Sequence, residues 1–234
     1  MKAIIPEQQT LIPACDVASL EKLQHLVQAT ADLPGIGGYK IGFELVIPFG
    51  MATVVKTIHG LTKKPIIYDH QKAGTDIPDT GDKFMQVCKG VDAVILFPQA
   101  GPITQKRWIE AAQEAGMPVI IGGEMTHPGF LANDGGYLSN DAPDRIYQLA
   151  ATLGVRDFVV PGNKPERISH YRELLESMGI EPTFYSPGFV SQGGELTTAA
   201  AVAGERWHAI VGRALYDAKD IRKAALALTA FRKP

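Results

Sequence analysis

The feature that most constrains this chain is an alternation that runs almost its whole length. Short apolar runs bounded by Gly, Pro or Asp are each followed by a longer stretch with helical periodicity. The runs fall at residues 11–17, 39–42, 65–69, 93–98, 118–125, 158–161, 182–186 and 209–211. The stretches between them predict helices: one carrying Leu20, Leu23, Leu26 and Val27 behind a Ser19 cap, and a long one ending near Leu61. Further helices are predicted over residues 77–89, 103–115, 143–153, 165–178, 195–203 and 218–231. Apolar runs without strict alternation suit strands covered on both faces, as in a parallel sheet. Eight such strand–helix units predict an α/β fold, a single-domain (β/α)8 TIM barrel over residues 1–234. An open five-stranded sheet would leave units unused. The 234 residues are too few for two ordinary domains of ~150 residues and fit one barrel. With 45% hydrophobic residues the chain has a core that needs no disulfide or metal staple.

Charge narrows the partners. Lys and Arg number 23 against 25 Asp and Glu, with no basic block, so no nucleic acid is expected. The longest apolar-leaning stretch, 45–55, is broken by Pro48 and Gly50 and is shorter than the ~18 residues of a membrane span, so no membrane partner is expected. The first residues show no apolar leader pattern. Cys15 and Cys88 form no CxxC pair and read as reduced thiols, which predicts a cytoplasmic protein.

In a barrel of this type, chemistry sits on the loops that follow the strands. Here those loops begin with Asp16, Lys40, residues 69–76, 98–99, 124–127, 161–163, 186–194, and Gly212-Arg213. Two lysines and two carboxylates, Lys40, Asp69, Lys72 and Asp76, follow the second and third runs. Alternating opposite charges keep each member ionised. Such an array suits a reaction that builds negative charge on carbon, with a lysine to stabilise and protonate it. Ordinary surface ion pairs are the plainer reading, and joint placement at the catalytic rim argues against it. A second constellation joins the stretch 186–194, with Pro187, Gly188, Gln192 and Gly193, to Gly212 and Arg213 after the eighth run. Backbone N–H groups freed by glycine and a guanidinium fork suit a phosphate group. Six histidines show neither HxH nor HExxH spacing, so no metal is expected. His127 reads as part of a turn with Pro128-Gly129, His70 as a neutral neighbour and His208 as packing or a loop residue before the eighth strand; Glu195 reads as a helix-dipole partner.

Asp69…Lys72…Asp76-Ile77-Pro78, Glu124-Met125-Thr126-His127-Pro128-Gly129, Ser186-Pro187-Gly188…Gln192-Gly193 and Gly212-Arg213 together resemble the orotidine 5'-phosphate decarboxylase family. The resemblance runs from Asp16 to Arg213. It implies cofactor-free decarboxylation of orotidine 5'-phosphate to UMP, the last step of de novo UMP synthesis. It further implies that Asp16 contacts the ribose, that Lys40 links ribose and acidic network, and that Asp69 faces the substrate carboxylate. Lys72 would protonate the pyrimidine carbon. Asp76, Ile77 and Thr80 would reach into the partner's site of a homodimer. Thr126 would bond the pyrimidine, Gln192 would bridge base and phosphate, and Pro187, Gly188, Gly193, Gly212 and Arg213 would lie at the phosphate.

One departure stands out. The family pattern has one residue between the first Asp and the Lys and two before the next Asp, whereas two and three stand here. Residues three apart do not share a strand face, so a bulge or turn is predicted near His70 and Gln71, with Gly74 easing the second insertion. Two other readings remain open: a Mg²⁺-dependent sugar-phosphate decarboxylase or synthase of the same barrel group, and a non-catalytic barrel that binds a phosphorylated ligand.

Overall fold

A computed structural model describes residues 3–70, 76–189 and 193–231. The eight apolar runs form β1 (Gln9–Pro13), β2 (Tyr39–Ile41), β3 (Ile66–Asp69), β4 (Ala93–Leu96), β5 (Val119–Gly122), β6 (Asp157–Val159), β7 (Thr183–Ser186) and β8 (Trp207–Val211). All paired strands are parallel, in the order β1-β8-β7-β6-β5-β4-β3-β2. The ring is joined between β1 and the segment leading into β2. Leu11 N–H donates to Gly35 O (2.8 Å), Gly37 N–H to Leu11 O (3.0 Å) and Cys15 N–H to Lys40 O (2.8 Å). The predicted (β/α)8 barrel is the observed one.

Alternation along each strand builds two cores. One face packs against the helices, through residues such as Leu11, Tyr39, Tyr68, Val94, Phe158, Phe184 and Trp207. The other fills the barrel with Ile12, Ala14, Ile67, Ala93, Ile95, Phe97, Ile120, Val159, Tyr185 and Ile210. Parity then decides where the polar residues point. Lys40 lies between the outward Tyr39 and Ile41, Asp69 stands two residues after the inward Ile67, and Asp16 two after the inward Ala14. All three therefore aim into the barrel at its C-terminal end.

The helices are α1 (Leu20–Thr30), α2 (Phe43–Phe49), α3 (Met51–His59), α4 (Gly81–Val87), α5 (Pro102–Glu114), α6 (Ala142–Thr152), α7 (Pro165–Ser177), α8 (Gly193–Ala203), α9 (Arg213–Tyr216) and α10 (Ile221–Leu228). Ser19 caps α1 as expected, accepting from Lys22 N–H at 3.2 Å. The long helix predicted to Leu61 is instead two. Gly50 adopts φ of 77°, ends α2 through its N–H to Val46 O and opens α3. The helix predicted over 77–89 starts as a 3-10 turn, Pro78–Thr80, before α4. That over 218–231 starts at Ile221, because the Asp220 side chain accepts from Lys223 N–H at 2.9 Å and sets the cap. Among the described residues no helix is long and apolar enough to cross a membrane.

At the N-terminal end, polar groups are also turned inward. Thr10 Oγ1 and His208 Nδ1 lie 2.8 Å apart, Tyr185 donates to Asp157 Oδ1 at 3.0 Å, and the Tyr185 and His208 rings are 4.9 Å apart. Burial, with Arg206 adding to it, lowers His208 to about 3. It is a neutral packing residue within β8, not a loop residue before the strand, because the strand already begins at Trp207 and its parity turns His208 into the barrel.

Candidate active site

The C-terminal end of the barrel holds a cavity of about 380 Å³. Its floor is made by inward strand residues, among them Ala14, Ile95, Phe97, Val159 and Ile210. Its rim carries Asp16, Lys40, Asp69, Thr126, Asn163 and Arg213. The volume is that of a small-ligand site, and the apolar floor beneath a few convergent polar groups is the usual build of one.

Lys40 is the centre of the rim. It is 5% exposed, and its Nζ lies 3.0 Å from Asp16 Oδ1 and 3.4 Å from Asp69 Oδ2. Burial pulls its pKa down, but Asp69 and then Asp16 outweigh it, so the ammonium titrates above the ordinary lysine value. The result is a fixed cation between two carboxylates, with little water to weaken its field. Strand parity brings these three together although they are spread over 54 positions of sequence, from 16 to 69.

The opposite wall is built from the β7 and β8 loops. Pro187, Gly188 and Phe189 line it with Gly212, Arg213 and Tyr216. Gly188 has φ of 105°, and a Cβ there would come within 2.6 Å of Thr126 Cγ2, so glycine is required both by its backbone and by this close approach. The loop can therefore pack directly on Thr126. Glu124, two residues earlier, is 3% exposed and bonded to Lys164, Arg167 and Tyr171. Burial pushes its carboxyl up, but the bonds from Tyr171, Arg167 and Lys164 prevail and hold it below the usual carboxylate range.

A model of the family described as orotidine 5'-phosphate decarboxylase / HUMPS matches residues 9–228. The chain belongs to that family. The orotidine 5'-phosphate decarboxylase of Methanosarcina barkeri is 31% identical over 96% of this chain and 95% of its own. The crystal structure of the Methanocaldococcus jannaschii enzyme complexed with inhibitor BMP superposes with a TM-score of 0.82 at 26% identity, covering 96% of this chain and 99% of that one. The Pyrococcus horikoshii enzyme gives a TM-score of 0.79 at 25% identity, over 95% and 98% of the two chains.

Of the residues that resemblance to this decarboxylase family singled out, the cavity gathers Asp16, Lys40, Asp69, Thr126, Pro187, Gly188, Gly212 and Arg213. Asp76, Ile77 and Thr80 are not in its lining; they stand beside α5, where Thr104 Oγ1 donates to Asp76 O (3.0 Å) and Trp108 Nε1 to Ile77 O (3.1 Å). Lys72, Gln71, Gly74 and Gln192 lie outside the described residues, and Gly193 opens α8. The turn expected at His70–Gln71 is therefore described only up to His70. There the ring stands beside Tyr68, hydrogen-bonded through Nδ1 to its hydroxyl. Cys15 and Cys88 are buried, which raises both thiols far from a nucleophile's range. Sequence reasoning passed over Phe97 and Tyr216 in the lining, and it gave no role to Asn163 or Glu124. The last two stood in loops already singled out, but their partners lie 37 to 47 residues away.

Proposed function

We propose that this chain decarboxylates orotidine 5'-phosphate to UMP, the last step of de novo UMP synthesis, without metal or organic cofactor. The observation that carries the reading is the Asp16–Lys40–Asp69 array, with Lys40 and Asp69 buried, over an apolar-floored cavity in a chain of this family. The bond between the pyrimidine C6 and its carboxylate breaks, CO₂ leaves, and the electron pair stays on C6 until it takes a proton from the Lys72 ammonium. Asp69 faces the departing carboxylate, while Asp16 and Lys40 hold the ribose. A fixed cation field next to C6 favours the charged transition state over the ground state. Thr126 bonds the base, Gln192 bridges base and phosphate, and Pro187, Gly188, Gly193, Gly212 and Arg213 take the phosphate. Phosphate binding far from the breaking bond supplies energy for excluding water from the base.

Lys40 Nζ fills the space between Asp16 and Asp69 that a bridging divalent cation would need, which favours the cofactor-free reading over a Mg²⁺-dependent sugar-phosphate enzyme. The whole chain acts as one catalytic domain in the cytoplasm. The working unit is a homodimer in which Asp76, Ile77 and Thr80 reach the partner's site. Ile77 at 60% exposed and Ile103 at 75% supply apolar surface for that contact.

The test is an ultraviolet assay of orotidylate in EDTA, with and without Lys72→Ala. Rapid loss of the orotate chromophore, abolished by Lys72→Ala while UMP binding survives, is the expected outcome. Retention of a tenth of the normal rate removes Lys72 as the proton donor. Turnover of sugar phosphates that needs added Mg²⁺ would assign the chain to that chemistry, and UMP binding without turnover would make it a binding barrel.

A further inference from the structure

Beyond β5 the chain leaves regular structure, so the backbone of residues 123–126 has no strand partners and must be held by side chains. It is held from two sides. On one, the Tyr147 hydroxyl accepts from Gly123 N–H (3.0 Å) and Glu124 N–H (3.3 Å) and donates to Val159 O (2.6 Å). On the other, Lys164 Nζ donates to Met125 O (3.1 Å) and Asn163 Nδ2 to Thr126 O (3.1 Å). Behind them Glu124 Oε1 accepts from Lys164 Nζ (2.9 Å) and Oε2 from Arg167 Nε (2.8 Å), with the Tyr171 hydroxyl on the same oxygen.

We propose that Glu124 is a positioning residue: by anchoring Lys164 it clamps the Met125–Thr126 backbone and so sets Thr126 against the pyrimidine. The proposal rests on the nucleotide reading given above. Glu124 itself does not line the cavity, so it acts through Thr126 and touches no reacting atom. Its side chain is 2% exposed, whereas those of Lys164 and Arg167 keep 27% and 28%. A long, partly exposed lysine has many rotamers, and a buried carboxylate at 2.9 Å selects the one that also reaches Met125 O. An apolar residue at position 124 would spare the desolvation of a carboxylate. It would leave Lys164 without its anchor and the Met125 carbonyl without a fixed donor. The cavity needs that precision, because Gly188 already packs on Thr126 with no room for a Cβ, and displacement of a binding group by ~1 Å can cost about 10²-fold in rate.

The experiment is a double-mutant cycle on kcat/KM for orotidylate. Lys164→Met is made in the unmodified chain, in Thr126→Ala and in Arg213→Ala. The expected result is about a tenfold loss in the unmodified and Arg213→Ala backgrounds, and less than about twofold in Thr126→Ala, because coupling is confined to groups that act through one another. Glu124→Gln, which keeps the volume and removes the charge, is run through the same cycle and gives the same pattern even where Lys164→Met folds poorly. Equal loss in all three backgrounds, or no loss in any, overturns the clamp and leaves the substrate reading standing. An unmodified chain with no turnover overturns that reading and the clamp with it.

Discussion

The two ends of the barrel interior each bury a small set of ionisable groups, and they treat charge in opposite ways. At the C-terminal rim Lys40 sits between Asp16 and Asp69, and their fields hold it cationic against the effect of burial. At the N-terminal floor burial prevails. It raises Asp157 from 3.8 to about 6 despite the Tyr185 bond and Arg206, and it lowers His208 to about 3. Tyr185 is pushed well above its ordinary value by the same burial and by Asp157. Both sets reach the interior by the same strand parity, so the difference is one of partners. Opposite charges at the rim are close enough to replace lost hydration; at the floor they are not, so burial favours the uncharged form of each group. A preserved, oriented charge in a low-dielectric place is what catalysis uses, while suppressed charge is compatible with a packed plug.

The sharpest way to break this contrast is Lys40→Met. If the rim charge works on the reaction, kcat for orotidylate falls by about 10²–10³-fold, while far-ultraviolet circular dichroism still reports the barrel. A loss below about tenfold would reduce Lys40 to an ordinary buried ion pair.

Asp157→Asn tests the floor. Between 3.8 and about 6 the folded chain keeps a proton that the unfolded chain has released, so Asp157 lowers stability as pH rises through that window, and the penalty persists above it. Asparagine removes it. The gain in unfolding free energy over the unmodified chain is expected to be about 2–3 kcal/mol larger at pH 8 than at pH 4, read by urea denaturation, with turnover unchanged. A pH-independent difference would show that the floor carries no suppressed charge. His208 works in the other direction: below 6.5 the unfolded chain takes a proton the fold refuses, so its contribution is lost as pH falls towards 3.

The smallest effect is expected for Arg213→Ala. This residue stands exposed at the cavity mouth, and its loss should raise KM about tenfold with little change in kcat. An unchanged KM removes it from the phosphate site.

Much of this was legible in the sequence, for a physical reason. A strand covered on both faces must be apolar, so the eight runs announced the barrel and the loops after them announced the rim. Helix boundaries were less legible. Residues 43–61 are apolar-rich on both sides of Pro48 and Gly50 and so read as one helix, although the buried Leu45 of α2 and the buried Val54 and Ile58 of α3 belong to two separate helices. The Glu124 cluster was not legible at all. Its loop was marked by the motif that holds Thr126, but Lys164, Arg167 and Tyr171 lie on the next strand–helix unit, and only the side-by-side pairing of β5 with β6 brings them to Glu124. The His70–Gln71 turn stays open for a different reason: residues 71–75 lie outside the described chain.

The joining of β1 to β8 has a consequence for biosynthesis. Thr10 meets His208 across 198 positions, and all five residues of β1 are paired with residues 207–211. On a ribosome, the first strand emerges long before the partner for one of its edges exists. Chain growth at ~5–20 residues per second leaves that edge open for about ten to forty seconds, long compared with collapse or hairpin formation. During that interval an apolar, unpaired strand is a template for the wrong neighbour. Yield in a cell should therefore depend on how well the nascent edge is shielded, a vulnerability that a stability measurement on the finished ring would never reveal.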